Sequence, residues 1–109
     1  MTEPRKFKIL YLTDKSDRGE SAMIMGVHNH GHEVTVFGKA DSVNVQAIRD
    51  SGIPVTDVRW KKKLDRDVLK AIRKNVLEKG IDIIHTGNSR TTLHMVMATK
   101  KLQRMGKSP

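Results

Sequence analysis

The chain has no cysteine, which excludes a disulfide framework, a zinc–thiolate site and a thiol nucleophile. Aromatic residues make up 4% of its 109 positions, with a single tryptophan and a single tyrosine, too few for the stacking platforms of single-strand nucleic-acid binders. The apolar runs fall far short of the ~20 residues that a membrane span needs. Met1 to Lys8 is charged and lacks an apolar stretch, so no secretory signal is expected there. Neither Gly-x-Gly-x-x-Gly nor Gly-x-x-x-x-Gly-Lys-Ser/Thr occurs, which argues against nicotinamide or flavin binding and against P-loop chemistry. Acidic residues are outnumbered: 12 Asp and Glu stand against 21 Lys and Arg, a formal charge of +9. Such an excess attracts an anion, whether a nucleic acid, an acidic membrane surface or a phosphorylated ligand. The lack of a nucleic-acid motif weighs against the first. The expected location is the cytoplasm, including the inner face of a membrane.

What is present is one modest core's worth of apolar residues in a strand-then-helix rhythm, so residues 1–109 are expected to form a single domain. Phe7 to Thr13 is a β-prone run closed by the turn-rich Asp14 to Gly19, and Glu20 to His30 reads as a helix with Ala22, Met23, Ile24 and Val27 as its apolar body. Gly31 is a natural stop, Glu33 to Phe37 a second strand, and Asn44 to Asp50 a short helix. Ile53 to Val58 is a third strand, with Pro54 suiting a strand start or an edge. Leu64, Val68, Ile72 and Val76 then recur every fourth residue, with Asp65 as N-cap, Leu64 and Leu69 as a hydrophobic staple, and Gly80 as terminator. Ile81 to His85 reads as a buried strand, and Arg90 to Met105 as a last helix with Leu93, Val96, Met97 and Leu102 inward. This alternation predicts an α/β fold: a Rossmann-like parallel sheet of about four strands, ordered 3-2-1-4, with helices on both faces. Lys107 to Pro109 reads as the lead-in to a fifth strand, so the domain is expected to be unfinished, with an exposed sheet edge that invites a homodimer or another partner.

In open α/β sheets ligands bind beyond the carboxyl ends of the strands, where the order reverses. Here that point lies between the first and fourth strands, at the loops Thr13 to Gly19 and His85 to Arg90, each leading into a helix N-terminus that favours an anion. Gly19 would let a phosphate approach, and Asn88, Ser89 and Arg90 would add donors; Asp17 and Ser89 read equally well as helix caps. His85 is either a core histidine bonded to backbone or a donor and acid–base group at the site. His28, His30 and His32 alternate, but Gly31 breaks the run and a helix C-terminus attracts cations anyway, so no metal site is expected. Trp60-Lys61-Lys62-Lys63 fits an anionic membrane interface, or a solvated basic turn with Trp60 folded onto the core.

Three stretches carry a family likeness: Lys8 to Thr13 leading to Ser16-Asp17-Arg18-Gly19-Glu20-Ser21-Ala22, Gly31-His32-Glu33-Val34-Thr35-Val36, and Gly80-Ile81-Asp82-Ile83-Ile84-His85-Thr86 followed by Asn88-Ser89-Arg90. In this order and spacing they resemble the N-terminal Rossmann-like domain of family-4, GT-B fold glycosyltransferases of the lipopolysaccharide- and glycan-building kind. The resemblance implies a two-domain enzyme with its active site in the interdomain cleft. This chain would be the acceptor-side portion, short of a complete N-terminal domain. By that match Asp17, Arg18 and Gly19 would face the donor's diphosphate. Asp14, His85, Asn88, Ser89 and Arg90 would lie toward the acceptor or the cleft wall. The sequence departs from the family where Arg18 precedes Gly19 in place of paired glycines, and where Gly87 replaces a second histidine. The donor-binding C-terminal domain with its Glu-x₇-Glu motif would be the partner, a nucleotide-sugar the co-substrate, a glycan or lipid-linked molecule the acceptor, and no cofactor is needed. The isolated chain is then expected to be inactive. The alternative reading is a non-enzymatic basic α/β module on an anionic polymer or membrane surface.

Overall fold

Apolar strands too short to fold back on themselves, each followed by a helix, bury both faces of a parallel sheet. The computed structural model of the protein describes residues 6–14, 16–58, 60 and 65–104. Along the chain run β1 (Lys8–Leu12), α1 (Arg18–Asn29), β2 (Glu33–Gly38), α2 (Val43–Asp50), β3 (Val55–Asp57), α3 (Arg66–Lys79), β4 (Ile83–Thr86) and α4 (Ser89–Arg104). The strands are all parallel and lie in the order β3-β2-β1-β4, the Rossmann-like arrangement that the alternation predicts.

Side-chain alternation divides the core in two. Leu10, Leu12 and Phe37 point to one face and pack with Trp60, with Leu69, Ile72 and Val76 of α3, and with Ala98 and Leu102 of α4. Ile9, Tyr11, Val34 and Val36 point to the other, against Ile24 of α1 and Ile48 of α2. α3 starts where Asp65 Oδ1 accepts the amides of Asp67 and Val68 at 3.0 and 3.4 Å. It stops at Gly80, whose φ of 66° is left-handed. Leu64 of the expected staple and the segment from Met105 to Pro109 lie outside the described residues.

Four expectations are corrected. The third strand is shorter than Ile53 to Val58: Pro54 has no N–H to give to a ladder, although its carbonyl still accepts from Val36 at 3.0 Å. β4 begins at Ile83 and is no buried strand. It is an edge, covered on one face, with Ile83 42% exposed and His85 exposed on the other. α4 turns Thr91, His94, Ala98 and Leu102 inward and leaves Leu93, Val96 and Met97 exposed. The inward polar groups are bonded: His94 Nε2 accepts the Asp65 amide at 2.9 Å, and Thr91 Oγ1 takes the amides of Gly87 and Asn88. Satisfied in this way, a histidine and a threonine displace leucine and methionine from the core stripe. On α1, similarly, Ile24 is buried while Ala22 and Met23 are exposed.

Candidate functional site

The order reversal brings the ends of β1 and β4 side by side, and polar groups converge there. Thr13, the residue after β1, is buried. Its amide donates to Phe37 O at 2.9 Å, and its carbonyl accepts the Trp60 indole N–H at 2.9 Å. The chain then passes close under the end of β2, where a Cβ on Gly38 would lie 3.1 Å from Thr13 Cγ2 and 3.3 Å from Asp14 O. Ser16 is held at φ 59°, a left-handed conformation for a residue with a side chain, and Asn44 Nδ2 donates to its carbonyl at 3.1 Å. Asp17 caps α1, its Oδ1 accepting the Glu20 amide at 2.6 Å.

The group at the centre of the crossover is Glu20, which the reading of the sequence assigned to the helix without a role. Its Oε1 accepts the hydroxyls of Thr13 and, at 3.0 Å, of Ser16. Its Oε2 lies so close to the end of β4 that a Cβ on Gly87 would stand 2.7 Å from it. A side chain there would push the carboxylate aside. The signal was available: Asp17-Arg18-Gly19-Glu20 has capping-box spacing. Here the glutamate, instead of reaching back to the cap's own amide, turns to the hydroxyls of the preceding loop.

Tyr11 lies behind this group, buried in the sheet face under α1. Burial first, and the Glu20 charge second, push its phenol above the ordinary value of 10.0. His85 is exposed and tilted against the Tyr11 ring, with centroids 5.0 Å apart. The reading of His85 as a core histidine is thereby corrected; the core histidine is His94, edge-on to Trp60 at 5.1 Å.

The remaining residues of the site divide by element. Asn88 caps α4: its Oδ1 accepts the Thr91 amide at 2.9 Å and its own amide donates to Thr91 Oγ1 at 3.1 Å. Ser89 and Arg90 open α4, and their side chains lie outside the described residues. Asp14 is half-buried and fixed through its carbonyl, which accepts from Lys39 at 2.8 Å. Arg18 and Gly19 are exposed on the outer side of the turn, and a Cβ on Gly19 would meet only Asp17 Oδ1, at 3.5 Å.

Trp60 overturns the membrane-interface reading of that ring. It is 5% exposed and packed in the α3–α4 layer, because its N–H finds the Thr13 carbonyl and its rings find the core. Lys61, Lys62 and Lys63 lie outside the described residues. Of the three alternating histidines, His32 spends its Nδ1 on the Phe7 amide at 3.0 Å and stacks on the Phe7 ring. A cavity of about 650 Å³ opens at the opposite, amino end of the sheet, between Lys8, His28, His32, Glu33, Glu78 and Lys79. Its charges are of both signs, and the converging hydroxyl and carboxylate groups are at the crossover instead. Among the described residues no helix is long and apolar enough to cross a membrane. No protein-family model, curated protein or solved structure matches the chain.

Proposed function

We propose that this chain is the acceptor-side portion of a glycosyltransferase, holding a glycan or lipid-linked acceptor at the β1–β4 crossover while a separate donor-binding domain or subunit supplies the nucleotide-sugar. The observation that carries the reading is the Glu20 carboxylate at the crossover, already serving two hydroxyls. An ionised carboxylate has about four lone-pair sites and accepts only, which suits sugar hydroxyls and repels a phosphate. With Asp17 capping, two carboxylates stand at the start of α1, so a donor diphosphate would approach over Arg18 and Gly19 on the exposed side. Asp14, His85, Asn88, Ser89 and Arg90 border the acceptor's side of the cleft. Orientation of the acceptor hydroxyl is the share of catalysis this portion contributes. No cofactor is required, and the setting is the cytoplasm.

The test is an NMR titration of the full chain with neutral oligosaccharides and, separately, with nucleotide-sugars. Amides of Thr13, Glu20 and Gly87 are expected to shift with an oligosaccharide acceptor. Glu20→Gln should weaken that binding by roughly 10-fold or more, the scale of losing a charge-assisted hydrogen bond. Indifference of those amides to every glycan class overturns the reading. So does sugar transfer by the chain alone, which is expected to be inactive.

One observation favours the second reading, an anion-binding module without catalysis. Arg66, Lys70, Arg73 and Lys74 share the outward side of α3, and none of them forms an ion pair with a described residue. Binding through these groups would fall steeply with salt, whereas glycan binding at Glu20 would not. Charge-reversing Lys70 and Lys74 therefore separates the two.

A further inference from the structure

The two edges of the sheet are treated differently. β3 is three residues long, follows Pro54, and ends in Asp57, whose Oδ1 accepts the Ala40 amide at 3.0 Å. A three-residue edge that ends in an acid offers a second strand little to pair with. β4 has no such device: Ile83-Ile84-His85-Thr86 holds no lysine, no proline and no bulge, and no described residue pairs with its outer side. Asp82 donates inward to Lys8 O at 2.8 Å, so the alternation of the strand turns the N–H and C=O groups of Ile83 and His85 outward. Apolar surface borders this edge on both faces. Ile83 is exposed on the side that α1 does not reach. On the other, α4 lies over β4, tied by Thr92 Oγ1 to Thr86 Oγ1 at 2.8 Å, and presents Leu93, Val96 and Met97 to solvent.

Charge distribution says what fits there. Of the chain's 21 lysines and arginines only Arg90 falls between Gly80 and Thr99. A polyanion finds little to hold on this flank. A second copy carrying the same +9 charge meets here the stretch of the molecule where like charges are fewest, and elsewhere it is repelled.

We infer that the β4 edge is a homodimer interface, in which two copies pair β4 with β4 antiparallel about a twofold axis at Ile84. The outward groups then match: Ile83 of one copy exchanges both N–H···O bonds with His85 of the other, and the symmetry repeats the exchange. Ile84 faces Ile84 as the close, non-hydrogen-bonded pair. The exposed side of α4 meets its symmetry mate above the joined sheet. This interface is independent of the acceptor reading, since it uses the outer side of β4 and leaves Glu20 untouched.

Sedimentation velocity on the full chain is expected to show a dimer. Ile83→Lys with Met97→Lys, both at exposed positions, should yield a folded monomer by the same measurement and by circular dichroism. Because the chain has no cysteine, Ile84→Cys should cross-link to its mate on mild oxidation, the pair being about 4.5 Å apart at Cα. Thr56→Cys on the protected β3 edge should not. A monomeric full chain, a dimer that survives the double lysine variant, or equal cross-linking at positions 56 and 84 each overturns the proposal. If Ile84→Cys fails to fold, the lysine variant alone decides.

Discussion

Glu20 and Tyr11 form a pair that can be read by titration. The phenol is raised above 10.0 by burial and by the neighbouring carboxylate, so above that pH the unfolded chain releases its proton while the folded one still holds it. The unfolded state then binds fewer protons, and folding stability falls as pH climbs from 10 through the folded-state value. Below pH 10 this group contributes no pH dependence. As the only tyrosine, Tyr11 gives a tyrosinate absorbance free of overlap, expected to appear above pH 10 in the native protein. In Glu20→Gln the second cause is gone, and the midpoint should move part of the way back down. An unchanged midpoint would mean that the carboxylate does not sit where the Thr13 and Ser16 hydroxyls place it. The pair also shows what a sequence hides: nothing in Tyr11 or Gly87 announces that both border Glu20, because the register of β1 against β4 and the placement of α1 create the contact.

Elements were legible where one physical signal dominated. α3 has a four-residue apolar repeat, an aspartate cap and a left-handed glycine stop, and all three appear in the structure as the sequence implies. Asp65→Ala is expected to lower stability by about 1 kcal/mol in chemical denaturation, the usual scale for an N-cap. Asp65→Asn should cost less, since an amide oxygen still accepts from the first turn. α4 was misread because apolar residues ring it on several sides. Periodicity cannot choose between Leu93-Met97 and His94-Ala98-Leu102 when the deciding fact is a backbone amide, that of Asp65, waiting for the His94 ring. β4 was misread for a related reason: consecutive isoleucines look like a strand covered on both faces, and only the sheet order reveals that it is an edge.

For the whole molecule the governing quantity is charge. Arg66, Lys70 and Lys74 stand four apart on α3, like charges where a self-contained helix would alternate signs, and each such pair destabilises by a few tenths of a kcal/mol. Added salt shortens the Debye length to about 8 Å near physiological strength and relieves this repulsion. The melting temperature is therefore expected to rise between low and moderate salt. Each 1 kcal/mol relieved is worth roughly 4–8 °C in a domain of this size. A melting temperature that falls with salt would show that attractive pairs outweigh the repulsive ones. The overall topology followed from the strand–helix alternation, whereas the division of labour between the edges did not, because protection of an edge is a property of what lies beside it.

The bond from the Trp60 indole to the Thr13 carbonyl has an optical side. The molecule's single tryptophan is wedged between the α3–α4 layer and the loop whose hydroxyl holds Glu20. Its emission should accordingly lie to the blue in the native state, and anything that draws Thr13 toward a ligand will stretch or release the indole N–H and change the spectrum. The chain thus carries its own fluorescent gauge of the crossover, legible in dilute solution without a label.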